Sequence, residues 1–177
     1  NDKGVITSVQ NNVNKTEEFS RNPIMKFFTD KFFGKAQVVG KVNSVEKHGN
    51  ILITENPTAD FTADAIKNEL NVDIALINAA NFRSKFEVGE VTDRDISAMN
   101  PFQNKVCIIN VNEKDIVNAV KVGAKSLEDK NEMPRLLQVS GLKYTVTKTG
   151  ELKELFFVNK DGKENPININ NPDCSKI

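Results

Sequence analysis

The side chains best suited to chemistry stand in Asn78-Ala79-Ala80-Asn81-Phe82-Arg83, which follows an apolar run over residues 72–77 and is followed further on by Pro101-Phe102. A guanidinium offers a fixed fork of donors that matches phosphate or carboxylate, and a carboxamide offers both donor and acceptor to a heterocycle or sugar. A phenyl ring offers a flat face. Together Asn78, Arg83 and Phe102 meet the needs of a nucleotide. Taken alone, the same loop reads equally as a solvated connection, and Phe102 as a core residue after a proline.

Other candidate groups are weaker. His48, the only histidine, sits in Lys47-His48-Gly49-Asn50 and reads as a solvated turn residue. No two-metal centre is assembled from it. Cys107 and Cys174 lack metal-binding spacing. Within Val106-Cys107-Ile108-Ile109, Cys107 reads as a small buried apolar residue on a strand, and a disulfide between the two cysteines stays open. Asp60 and Asp64 lie one helical turn apart, where a capping or solvated role outweighs an acid/base one.

Composition sets the frame. At 177 residues, with 38% hydrophobic and 27% charged, the chain is long enough to bury a core and has ordinary globular usage. Lys plus Arg and Asp plus Glu stand at 24 each, so no net field draws polyanions or anionic membranes. Nucleic acid is therefore not an expected partner. No apolar run has the length of a membrane helix, and Asn1-Asp2-Lys3-Gly4 reads as the start of a mature, cleaved or cloned fragment.

The elements that must position these residues follow from local pattern. Residues 5–9 read as a short strand. Asn22-Pro23 opens a helix over residues 22–33, with Ile24, Phe27, Phe28 and Phe32 on one face. Residues 37–45 are rich in valine and read as a strand. A helix over residues 58–70 repeats Phe61, Ala65, Ile66 and Leu70 at three- and four-residue spacing, the pattern of an apolar face. A further helix runs from Glu113 to about Ala124, capped by Asn112 with Asp115 in a capping-box position and Val117, Val120 and Ala124 inward. Residues 142–146 and 152–158 form a hairpin about Lys148-Thr149-Gly150-Glu151. A second turn at Asn159-Lys160-Asp161-Gly162 precedes Pro166-Ile167. The expected fold is α+β, with packed helices and a mixed sheet containing parallel and antiparallel connections.

Five ordered segments carry a resemblance. They are Glu55-Asn56-Pro57-Thr58-Ala59-Asp60 with Asp64-Ala65; Val72-Asp73-Ile74-Ala75-Leu76-Ile77-Asn78 through Arg83; Val88-Gly89-Glu90-Val91-Thr92; Asn100-Pro101-Phe102-Gln103-Asn104; and Leu137-Gln138-Val139-Ser140-Gly141-Leu142-Lys143-Tyr144. In order and spacing they resemble the C-terminal domain of the 5'-nucleotidase family. The resemblance implies a modular, extracytoplasmic (periplasmic, cell-surface or secreted) phosphoesterase. In such an enzyme a separate N-terminal metallophosphoesterase domain holds two divalent metal ions, and the C-terminal domain binds the nucleoside part of the substrate. It implies that residues 1–35 are a connector and linker helix from that N-terminal domain, and that residues 36–177 are the substrate-binding domain. No catalytic residue, metal ligand or cofactor is expected in this chain, whose partners would be a nucleotide or nucleoside and the metal-bearing domain. Arg83 corresponds to the family's loop arginine toward phosphate or ribose, Asn78 to the asparagine toward the nucleoside, and Phe102 to the first aromatic clamp.

Departures from the pattern qualify that expectation. Ala79-Ala80-Asn81 replaces a Gly-Gly-Gly loop, which implies a reshaped backbone. Thr54 stands where many members have arginine, and Ala59-Asp60 replaces Gly-Asn, putting a carboxyl where the family has a neutral amide. Both changes imply a weaker anion site. The family's final strand, with a second clamp Phe and a Gly-Gly-Asp-Gly-like turn, has no counterpart before Ile177, which implies a truncated C-terminus or completion by another chain. An alternative function is a degenerate, non-catalytic surface binding or interaction module.

Overall fold

The computed structural model describes residues 34–44, 50–102, 104–128 and 135–175. The strand and helix expected over residues 5–9 and 22–33, together with His48, lie outside them. The described residues fall into two compact units, one containing residues 50–82 and 102–175 and the other residues 34–44 and 83–101.

In the larger unit, helix α1 (Pro57–Leu70) begins where Asn56 caps the N–H of Thr58 at 3.0 Å and Pro57 opens the first turn. Asn71, at φ 49°, ends it in the left-handed conformation. The helix packs on strand β2 (Ala75–Asn78), which pairs antiparallel with β4 (Leu137–Ser140) from Ala75↔Ser140 to Asn78↔Leu137. Its inward residues are Thr58, Ala59, Asp60 and Ala63, while Phe61 is 61% exposed and Leu70 is exposed. The expected apolar face is thus corrected. Small residues allow close approach to a strand pair that itself presents Ala75, Gln138 and Ser140, and that contact excludes the bulky Phe61.

Helix α3 (Glu113–Lys125) begins where expected, ends one residue past Ala124, and buries the expected Val117, Val120 and Ala124 together with Ile116 and Gly123. Asn112 Oδ1 accepts the N–H of Asp115 at 3.0 Å, and Asp115 accepts the N–H of Asn112 at 3.1 Å, closing the capping box. Its buried face, Ile116, Val117 and Val120, joins Leu142, Leu152, Leu155 and Ile167 in the main core. That core lies against the antiparallel sheet β5 (Leu142–Val146), β6 (Leu152–Val158) and β7 (Glu164–Pro166). Removing a side chain such as Leu155 from water contributes about 1.5–3 kcal/mol.

In the smaller unit, β1 (Val38–Val42) pairs antiparallel with β3 (Gly89–Thr92), and α2 (Asp93–Met99) follows directly. Thr92 and Asp95 form another capping box, with the Thr92 hydroxyl donating to Asp95 at 2.6 Å. Asp93 ties the helix start to β1's approach, accepting the N–H of Gln37 at 3.0 Å. The α+β class holds. Every ladder among the described residues is antiparallel, in three small sheets, so the parallel connections of the expected mixed sheet do not occur there.

Cys107 is also corrected. It is exposed, in a segment with no strand pairing among the described residues, beside Val106, Ile108 and Ile109 at 59%, 65% and 72% exposure. Both cysteines are free thiols.

Candidate functional site

Asn78 ends β2, opposite Leu137, and the chain then turns at once. The N–H of Ala79 donates to the carbonyl of Leu136 at 3.3 Å, which extends the ladder by one bond. Asn78 is at an extended φ of −69° and its Oδ1 accepts the N–H of Ala80 at 3.0 Å, so it caps a 3-10 turn over Ala79–Asn81. No residue of this turn has positive φ. Where three glycines would license left-handed geometry, the two alanines and Asn81 instead take a right-handed turn that their Cβ atoms tolerate. Ala79 is fully buried, and Phe82, at 6% exposure, seats the end of the turn in the core.

Asn78 itself is exposed at this strand end. Its oxygen accepts one bond from the turn, and its amide nitrogen is a donor to offer a ligand. Arg83 is exposed as well, at the first position of the smaller unit after the turn, where its backbone N–H donates to the carbonyl of Met99 at 2.9 Å. Phe102 belongs to the same unit as Asn78 and is 47% exposed, so it is not a core residue after a proline. Two of the three candidate residues therefore share a unit, and the third stands in the other. Near the end of the smaller unit, Asn100 Oδ1 is buried and is the one such side-chain atom among the described residues without a hydrogen-bond partner.

The start of α1 is the most polar part of the interior, and its role was not evident from spacing. Gln138, 2% exposed, donates through Nε2 to the carbonyls of Ile51 and Thr54 at 2.8 and 2.9 Å. Ser140 donates to Asp64 at 2.5 Å, and Tyr144 to the carbonyl of Leu137 at 2.5 Å. Burial, and then the carboxylates of Glu55 and Asp64, push the Asp60 carboxyl up to about 8. Burial likewise pushes the Tyr144 phenol up, with Glu55 and Asp60 adding to the effect. Burial thus disfavours the negative charge expected at Asp60. Among the described residues no group of three or more His, Cys, Asp or Glu side chains converges to hold a metal ion, and no helix is long and apolar enough to cross a membrane.

Comparison with known proteins places this arrangement. Residues 4–164 match the family described as 5'-nucleotidase, C-terminal domain. The silent protein UshA(0) of Salmonella typhimurium is 24% identical over 147 residues, which is 79% of this chain and 26% of that protein. An apyrase of Aedes albopictus is 35% identical over 88 residues, 50% of this chain and 15% of its own length. Among solved structures, the 5'-nucleotidase precursor from Thermus thermophilus superposes with a TM-score of 0.64 at 20% identity, covering 83% of this chain and 29% of that one. The NAD nucleotidase of Haemophilus influenzae gives a TM-score of 0.61 at 22% identity, covering 82% and 28% respectively. This chain therefore spans less than a third of these relatives, and it belongs to the 5'-nucleotidase C-terminal domain family.

Proposed function

We propose that this chain is the substrate-recognition domain of an extracytoplasmic 5'-nucleotidase-like phosphoesterase, taking a nucleotide or nucleoside at Asn78, Arg83 and Phe102. The observation that carries the reading is the family match over residues 4–164, which spans all three residues. Arg83 supplies a charge-assisted bond to phosphate or ribose, and Asn78 supplies its amide to the nucleoside. Half-exposed Phe102 supplies a stacking face, a contact worth about 1–3 kcal/mol per base in nucleic-acid systems. The residues of this chain bind and orient. Divalent metal ions in a separate N-terminal domain would supply the activated water and the charge stabilisation that phosphoester hydrolysis requires. Residues 1–35 act in this reading as the connector to that domain.

Isothermal calorimetry with AMP and adenosine tests the site. The expected result is binding of both by the chain, a loss of AMP affinity of about tenfold or more in Arg83→Ala, and weaker binding of both ligands in Phe102→Ala. Equal affinities in all three proteins would remove the proposed site and leave the non-catalytic interaction module, which the occupied Asn78 oxygen and the glycine-free turn favour.

A further inference from the structure

We propose that residues 105–111 are a self-pairing strand through which two copies of this chain join edge to edge, antiparallel and about a two-fold axis at Ile108. Among the described residues, 104–111 form a run in which no residue makes a hydrogen bond or an ion pair, and 104–110 are all exposed. Within it Val106, Ile108 and Ile109 are 59%, 65% and 72% exposed, with Cys107 exposed beside them. A free row of backbone donors and acceptors carrying β-branched side chains is a template for another strand.

The run is anchored at one end. Asn112 closes the capping box of α3, and Val111 packs against the main core. None of the three sheets includes the run. When it pairs as a strand, Ile109 and Cys107 fall on the face of Val111, while Val106 and Ile108 fall on the other. Pairing therefore prolongs the apolar surface of the core and also satisfies the bare backbone.

The partner that fits this edge is a second copy. With the axis at Ile108, Lys105 stands opposite Val111, Val106 opposite Asn110, Cys107 opposite Ile109, and Ile108 opposite itself, so the whole of 105–111 is paired. Apolar side chains meet across the centre. Charge agrees at both ends. Lys105 has no ion-pair partner within its own chain. On the diagonal it approaches Glu113 of the other copy, in the first turn of α3, where Asp115 adds a second carboxyl. With 24 basic and 24 acidic side chains, the two copies also meet without net repulsion. The pairing uses none of Asn78, Arg83 and Phe102, and stands whether or not they bind a nucleotide.

Sedimentation equilibrium of the full chain tests this, with amide hydrogen exchange of residues 105–111 read on the same samples. A monomer–dimer equilibrium is expected between about 1 μM and 1 mM protomer, with protection of 105–111 rising as the dimer fraction rises. In Cys174→Ser, a short bis-maleimide should join Cys107 to Cys107, because the two thiols lie across one diagonal on the same face. Ile108→Lys sets like charges opposite each other at the centre and should abolish both the dimer and the cross-link. Lys105→Glu, which faces the acidic start of α3 in the other copy, should weaken the dimer most at low salt. A chain that stays monomeric at the highest concentration would overturn the proposal. So would a dimer that survives Ile108→Lys, which would place the contact on another face. Protection of 105–111 in the dilute monomer would overturn it too, since the chain would then cover the edge with a segment of its own.

Discussion

Gly141 is held where no other residue fits. It joins β4 to β5 at φ +79°, and a Cβ there would meet the carbonyl oxygen of Asp73 well inside van der Waals contact. Gly162 has nearly the same φ, +76°, but faces open space. The two positions therefore separate backbone strain from steric collision. Gly162→Ala should cost about 1 kcal/mol, the ordinary penalty for a left-handed non-glycine. Gly141→Ala should cost about 3 kcal/mol or more, because the strand junction must also shift away from Asp73. Urea unfolding of the two variants side by side checks this, and equal midpoints would show that the collision is relieved without cost.

At the scale of elements, α3 shows what local pattern reveals. Asn112 and Asp115 fix its start, and Ile116, Val117, Val120 and Ala124 recur on the buried face. Cap and periodicity agree, so the helix is legible without any knowledge of its neighbours. Asn112→Ala should remove one side of the capping box and cost about 1 kcal/mol, read as a lower urea midpoint with an unchanged slope. The start of α1 was legible to within one residue, at Thr58 against the observed Pro57, but its inward face was not. Apolar periodicity finds the face with the largest side chains, Phe61 and Leu70, whereas close packing on β2 and β4 selects the smallest, Ala59 and Ala63, each 0% exposed. The hairpin of β5 and β6 was readable from alternation and its turn, because both depend on adjacent residues. The run Val106-Cys107-Ile108-Ile109 records a capacity for burial, and that capacity is realised only by partner strands that the local sequence does not specify. Helix α2 was missed although Thr92 and Asp95 signal its start, since seven residues are too few for a period to emerge. Of the candidate site, the residue types and the strand end at Asn78 were legible. The capping role of its side-chain oxygen was not, because it depends on the 3-10 turn that Ala79–Asn81 adopts.

The whole molecule carries 24 basic and 24 acidic side chains, so its field at a distance is close to nil. Attraction of a phosphate must then come from local charge, and Arg83 is the cation of the proposed site. This has a consequence that separates the phosphate from the nucleoside. A screening length of about 10 Å at 0.1 M salt weakens an exposed guanidinium–phosphate contact and leaves ring stacking nearly untouched. AMP affinity should therefore fall as salt is raised from about 50 to 500 mM, by about threefold through screening of one charge pair, while adenosine affinity should hardly change. In Arg83→Ala the two ligands should show the same shallow dependence. A steep salt dependence that persists in Arg83→Ala would assign the phosphate to another cation. A flat one for AMP in the wild-type chain would mean that nothing on this neutral surface grips the phosphate at all.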